Sequence, residues 1–310
     1  MKKQLFILAV LSMLSIIILS AGCGHQPDYL PENADDSGDL SIFEPKQRGE
    51  TTEKSAEFTE PARLMPTEPP VKQEDFRFMT AEHYKPEYHE RYIKYSEANP
   101  RLSHSDVVTY VNIGLDFPFY SEEIKKQVED PHSYLVLSNK YIYLPESFVP
   151  EGYAKTDGRV LSLRGEAQKQ FDKMRSDAEK DGISINIISG YRSYAIQREV
   201  YNNYKRNDPA GADTYSARPG HSEHQTGLSA DINTASSTAG FENTKEYAWL
   251  NENAHNYGFI LRYPKGKEWI TGYIFEPWHW RYIGVETAGK LKESDITLDE
   301  YHAIYLHKSH

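Results

Sequence analysis

From Ser162 onward the spacing of apolar positions changes period several times, and each change marks an element. Ala167, Phe171, Met174 and Ala178 recur at intervals of four, three and four, one buried stripe of a helix of about five turns, with Ser162 as its expected N-cap and Gly182 as its stop. "ISINII" then alternates apolar and polar as a half-buried strand, "YAIQREVYNNYKR" returns to helical spacing, and "GLSADIN" reads as a second strand. "YAWLNENAHNYG" is a helix closed by Gly258, and "FILRYP" and "EPWHWRYIG" are two more strands. Upstream, "HYKPEYHERYIKYSEANP" and "SHSDVVTYVNIGL" predict short helices, the second capped by Ser103 or Ser105. "SYLVLSNKYIYLPESFVP" has a strand-like start that Pro145 and Pro150 end. Helices and strands mix without a βαβ repeat and no segment repeats, so the expected class is α+β: a small antiparallel sheet with flanking helices, preceded by a small helical N-terminal subdomain over 76–132.

The first 75 residues follow other rules. Lys2 and Lys3 precede fifteen uncharged, mostly apolar residues from Leu5 to Leu19, then small residues and Cys23, which reads as a secretory signal over 1–22. The run falls short of the roughly 20 residues of a spanning helix. "LSAGC" resembles the lipobox of bacterial lipoproteins, which implies cleavage before Cys23 and a lipid on its sulfur. The expected location is the outer face of the bacterial cytoplasmic membrane. Cys23 is the only cysteine, so the chain can form no internal disulfide and has no later thiol nucleophile. From Cys23 to about Asp75 the chain carries seven of its seventeen prolines, many acids and no apolar period, the composition of a disordered tether. The whole chain has a formal charge of −11; removing residues 1–22 takes away Lys2 and Lys3 and no acid, which leaves 33 basic and 46 acidic residues, a net of −13. That balance argues against nucleic acid as a partner. A monomer is expected.

The chemistry concentrates in two short stretches. "PGHSEHQTGLSAD", Pro219 to Asp231, holds two histidines and two carboxylates in thirteen residues. His224 and Asp231 lie seven apart with Gly227 between them, so a loop histidine can meet an aspartate on the following strand where glycine permits the turn. "EPWHWRY" adds His279 with Glu276 three residues earlier. In a regular strand those two would face opposite sides, but Pro277 favours an edge or a bulge that turns Glu276 back. Two histidines and one carboxylate around zinc leave a fourth position for water, and Glu276 beside it is then a general base. A lone histidine on a strand is more often structural, and His221 is read as a residue that either supports the ligands from behind or packs in the loop; the force of the pattern lies in the combination.

"SEHQTGLSAD" resembles the SxHxxGxAxD signature of VanY-type D-alanyl-D-alanine carboxypeptidases, a zinc peptidase family that also includes VanX dipeptidases and Hedgehog signalling domains. "SGYRS" with Gln197 after it, and "EPWHW", resemble the other family motifs in the same order. The resemblance spans about Ser133 to Tyr282. It implies His224, Asp231 and His279 as zinc ligands, Glu276 as catalytic base, Arg192 as the cation that stabilises substrate or transition state, and Arg192, Gln197, Ser222 and Tyr191 around the substrate. Ser229 stands where the signature has alanine. The implied activity of the domain over 133–310 is removal of the C-terminal D-alanine from peptidoglycan stem peptides. Two alternatives stand beside it: an L,D-carboxypeptidase acting on tetrapeptide stems, and a zinc-containing module that binds wall peptides without cutting them. A serine hydrolase is disfavoured, because the chain has no GxSxG.

Overall fold

The computed structural model describes residues 76–153, 158–233 and 240–306. The signal, Cys23 and the tether lie outside them. Among the described residues no helix is long and apolar enough to cross a membrane.

The described chain opens with two helices, α1 (His89–Ala98) and α2 (His104–Ile113). Ser103, not Ser105, caps α2: its Oγ accepts the Asp106 N–H at 3.1 Å while the Asp106 carboxylate accepts the Ser103 N–H at 3.3 Å. Phe78, Tyr92, Val107, Val108 and Val111 close a small core between these helices. Next come β1 (Lys126–Gln127) and β2 (Ile142–Tyr143), paired in parallel. The strand expected at Ser133 is absent. Its carbonyls serve side chains instead of a ladder: Tyr134 and Val136 oxygens accept from Arg281 Nη2 at 3.1 and 2.6 Å, and the Leu135 oxygen contacts His302 Nε2.

After β3 (Arg159–Val160), helix α3 runs over Gly165–Lys180, and Ala167, Phe171, Met174 and Ala178 are all buried along it. It starts three residues after Ser162, whose carbonyl accepts the Tyr191 N–H at 3.2 Å and is thereby held outside the helix. Four strands then build the central sheet, with β5 (Tyr191–Arg192), α4 (Tyr194–Asn207) and α5 (Ala212–Tyr215) inserted after the first: β4 (Asn186–Ser189), β6 (Ser229–Asn233), β7 (Phe259–Leu261), which follows α6 (Lys245–Asn253), and β8 (His279–Tyr282), which follows α7 (Glu268–Thr271). The order across the sheet is β4-β6-β8-β7, every pair antiparallel. Helices α8 (Val285–Ser294) and α9 (Leu298–Tyr301) complete the α+β fold.

Strand periodicity assigns the two faces of the sheet. Ala230 and Ile232 on β6 and Trp280 and Tyr282 on β8 pack into the main core with Phe171, Met174 and Phe259. Ser229 and Asp231, with His279 and Arg281, therefore project from the other face. A polar face this well buried requires partners for every charge.

Candidate active site

The register of β6 and β8 places Asp231 directly opposite His279. Side chains opposite each other in an antiparallel pair project side by side, close enough to share one ion. His224 reaches the same point from a short 3-10 turn, Glu223–Thr226, that Gly227 closes at φ +68°, a conformation in which a side chain would be strained. His224 Nδ1 lies 2.7 Å from the Gly190 carbonyl oxygen, so it carries the proton and leaves Nε2 to face Asp231 Oδ1 at 3.5 Å. His279 Nδ1 faces the same oxygen at 3.2 Å, and the two imidazoles meet edge to face at 5.0 Å.

The donor atoms of His224, Asp231 and His279 all lie within 4.8 Å of one another. Asp231 Oδ1 is buried and has no hydrogen-bond partner among the described residues, although two imidazole nitrogens flank it. Buried carboxylate oxygens are normally hydrogen-bonded. Two nitrogens and one unsatisfied oxygen converging on a point match the donor set that zinc takes in open sites. Burial opposes the Asp231 anion, yet the two histidines hold its pKa well below the ordinary aspartate value. Burial, then the nearby Arg192, keeps His224 neutral-leaning.

Glu276 is 6% exposed and its Oε2 lies 3.7 Å from His279 Nδ1. It belongs to neither an edge strand nor a bulge: β8 is an inner strand and Glu276 precedes it in a turn, its carbonyl accepting the His279 N–H at 3.1 Å. Pro277 thus starts a turn, which brings the carboxylate to the histidine without distorting the ladder. Burial pushes the Glu276 carboxyl up to about 7, and the Asp231 charge pushes the same way.

Arg192 faces this group from the opposite wall. Its Nη1 donates to Gln197 Oε1 at 2.7 Å, its Nη2 to Ser189 Oγ at 3.3 Å, and Nη2 stands 3.7 Å from Asp231 Oδ2. Gln197 Nε2 is tied to the Ala217 carbonyl at 2.7 Å, so the arginine is aimed by a fixed partner. The β4–β6 ladder shifts register between Ile187 and Ser189, the irregularity that brings Ser189 level with Asp231. Arg192, Gln197, Ser222, His224, Asp231, Glu276 and His279 all line one cavity of about 500 Å³, with Tyr204, Tyr215 and Ile274 among its further lining residues.

Tyr191 departs from the expectation. It is not among the lining residues; it is 1% exposed and stacks on Tyr153 with ring centroids 4.4 Å apart. It adjoins Arg192 on β5, and strand alternation sends the two side chains to opposite faces. His221 packs in the loop as read, its Nδ1 2.7 Å from the Asn139 carbonyl and its ring against Tyr120.

One site residue escaped the sequence reading. Glu223 is 1% exposed, and its Oε1 accepts from Arg262 Nε and Arg281 Nη1, both at 2.8 Å, while Oε2 lies 3.6 Å from His279 Nε2. Burial alone would raise its pKa, but the two guanidinium groups hold it well below the ordinary glutamate range. The available signal was a pair of arginines inside otherwise apolar strands, "FILRYP" and "WHWRYIG", because a buried arginine demands an acid.

Residues 160–285 match the VanY family, described as D-alanyl-D-alanine carboxypeptidase, so that α9 lies beyond the matched region. A protein named as a carboxypeptidase, YodJ of Bacillus subtilis, is 36% identical over 200 residues, which are 59% of this chain and 73% of YodJ. A D-alanyl-D-alanine carboxypeptidase of Enterococcus faecalis is 36% identical over 191 residues, 57% of this chain and 68% of that protein. Among solved structures, the LdcB LD-carboxypeptidase superposes with a TM-score of 0.54 at 34% identity, over 60% of this chain and 94% of LdcB.

Proposed function

The chain belongs to the VanY family of carboxypeptidases, and from that premise we propose that it is a zinc-dependent D,D-carboxypeptidase that removes the C-terminal D-alanine from peptidoglycan stem peptides. The observation that carries the reading is the convergence of His224, Asp231 and His279 around an unsatisfied carboxylate oxygen, with Glu276 beside them and Arg192 opposite in one cavity. His224, Asp231 and His279 would hold the zinc, which would supply Lewis-acid polarisation of the scissile carbonyl and lower the pKa of water toward about 7.

The chain's own groups do the rest. Glu276 Oε2 takes the proton of the attacking water and returns it to the departing amine, a role suited to a carboxyl that burial holds near neutrality. Arg192 is a permanent cation of the cavity, which Arg159 also lines, and its fork, steadied by Gln197 and Ser189, offsets the negative charge that grows on the carbonyl oxygen or grips the substrate carboxylate. Ser222 is buried beside the histidine turn and presents a hydroxyl to the peptide.

A second reading is favoured by one observation, the likeness to the LdcB LD-carboxypeptidase. Incubation of the zinc-loaded protein with defined pentapeptide and tetrapeptide stems, followed by mass analysis, separates the two. Loss of one D-alanine from the pentapeptide is the expected result. Faster release from the tetrapeptide makes the enzyme an L,D-carboxypeptidase, and a zinc-loaded protein that cleaves neither is a binding module. For the amino-terminal region the proposal is a lipid anchor at Cys23, based on "LSAGC"; Cys23→Ala is expected to move the protein from the membrane fraction to the soluble one, and a variant that stays with the membrane removes the anchor from consideration.

A further inference from the structure

The buried face of β8 is tied to the C-terminal helix by a chain of charges. Arg262 donates through Nε to Glu223 Oε1 at 2.8 Å and through Nη1 to Asp299 Oδ2 at 2.7 Å. Asp299 sits on α9, whose start is fixed by a capping box between Thr297 and Glu300, and its other oxygen accepts from Asn139 Nδ2 at 2.8 Å. Glu223, Arg262, Arg281 and Asp299 are each no more than 2% exposed, so two guanidinium groups and two carboxylates neutralise one another out of reach of water. At the near end, His279 Nε2 is buried with no hydrogen-bond partner among the described residues, and Glu223 Oε2 stands 3.6 Å from it. That gap is just outside hydrogen-bond range.

We propose that Asp299 is a positioning residue for His279. Glu223 Oε2 already accepts from Ser229 Oγ at 3.1 Å; by holding the far end of Arg262, Asp299 keeps the remaining acceptor capacity of that oxygen for the His279 Nε2–H, which fixes Nδ1 as the nitrogen that meets the metal. The inference rests on the zinc reading above and extends it to a helix outside the matched family region. Arg281 has three backbone carbonyls besides Glu223, but Arg262 is held in this network by its two carboxylates. Without the Asp299 charge the network carries one uncompensated cation in a dry interior, where such a charge is costly. Arg262 then draws on Glu223 with its whole fork, and the oxygen facing His279 becomes a poorer acceptor. An imidazole whose second nitrogen lacks an acceptor is less well oriented and less basic toward a metal.

The test uses the full zinc-loaded chain. Wild type and Asp299→Asn are titrated with a zinc chelator, and the cobalt-substituted forms are compared by visible absorption. Loss of such an outer partner lowers metal affinity by about 10- to 100-fold; the expected result is a chelator midpoint lowered to that extent, with an altered cobalt spectrum, in a variant whose near-ultraviolet circular dichroism matches wild type. A purely structural role would lower the melting temperature and leave midpoint and spectrum in place, and that result overturns the proposal. Should Asp299→Asn not fold, Arg262→Lys keeps the charge balance while losing the fork that spans both carboxylates; it is expected to lower the midpoint too, and an unchanged midpoint in Arg262→Lys overturns the proposal. A wild-type protein that binds no zinc would instead fail the zinc reading itself.

Discussion

Glu276→Gln keeps the size of the side chain and removes its ability to accept a proton, so turnover should fall by about 10²- to 10⁴-fold, the scale of losing a general base. Zinc content and melting temperature should stay near wild type, because the Glu276 side chain is separate from the three converging donors. His224→Ala should release the metal instead. Metal analysis beside a D-alanine release assay checks both, and a zinc-bound Glu276→Gln that cleaves at the wild-type rate removes Glu276 from the role of base. At this scale the sequence was legible where chemistry and spacing were local. His224 and Asp231 share one turn and one strand, and Glu276 and His279 share one turn. Glu223 was not legible as a partner, since Arg262 and Arg281 stand 39 and 58 residues away along the chain. Tyr191 was misplaced because its neighbour Arg192 faces the cavity, and on a strand one of two neighbours must turn away.

Among the elements, the α3 stripe and the strands of the central sheet follow from periodicity, whereas the boundaries were set by partners that periodicity does not record. Ser162 stays out of α3 because Tyr191 takes its carbonyl, and the stretch at Ser133 is no strand because Arg281 and His302 take its carbonyls. Gly190 shows how closely these elements approach the site. A Cβ there would lie 2.5 Å from the Ser162 carbonyl oxygen and 2.7 Å from both Ser162 N and the Val160 oxygen, all backbone atoms that cannot rotate away. Its own carbonyl holds His224 Nδ1. Gly190→Ala should therefore cost about 1–3 kcal/mol of stability, the range for overpacking, and should weaken zinc retention by moving the acceptor of His224. Denaturant melts with and without chelator measure the two effects. A destabilised variant with wild-type zinc retention would show that the Gly190 carbonyl does not orient the histidine.

For the molecule as a whole, two buried histidines outside the cavity contribute to the loss of stability in acid. Burial lowers the pKa of His221 and of His302 to about 4 each, with Lys125, Arg218 and Lys140 near the first and Arg281 and Arg262 near the second acting in the same direction. The Asn139 carbonyl at His221, and the Leu135 carbonyl and Asp299 at His302, oppose the shift without cancelling it. The unfolded chain takes up these protons near pH 6.5 and the folded one only near pH 4, so the stability they contribute is complete above the first value and is lost as pH falls toward the second. Each should steepen the loss by about 1.4 kcal/mol per pH unit within that window. Urea melts between pH 7 and 4.5 should show a shallower slope for His302→Gln than for wild type; equal slopes would mean that His302 takes up its proton in the fold at the same pH as in the unfolded chain. The pairing of Asp231 with His279 carries a last consequence, for folding and not for catalysis. If β8 were to pair with β6 one residue out, Trp280 would face the cavity and His279 would point into the core, and the three donors could not meet. On the zinc reading, metal capture would act as a proofreading step that only the correctly registered sheet could pass: zinc present during refolding should raise the yield of active protein above that obtained when the same zinc is added after the strands have paired, and equal yields would remove that role.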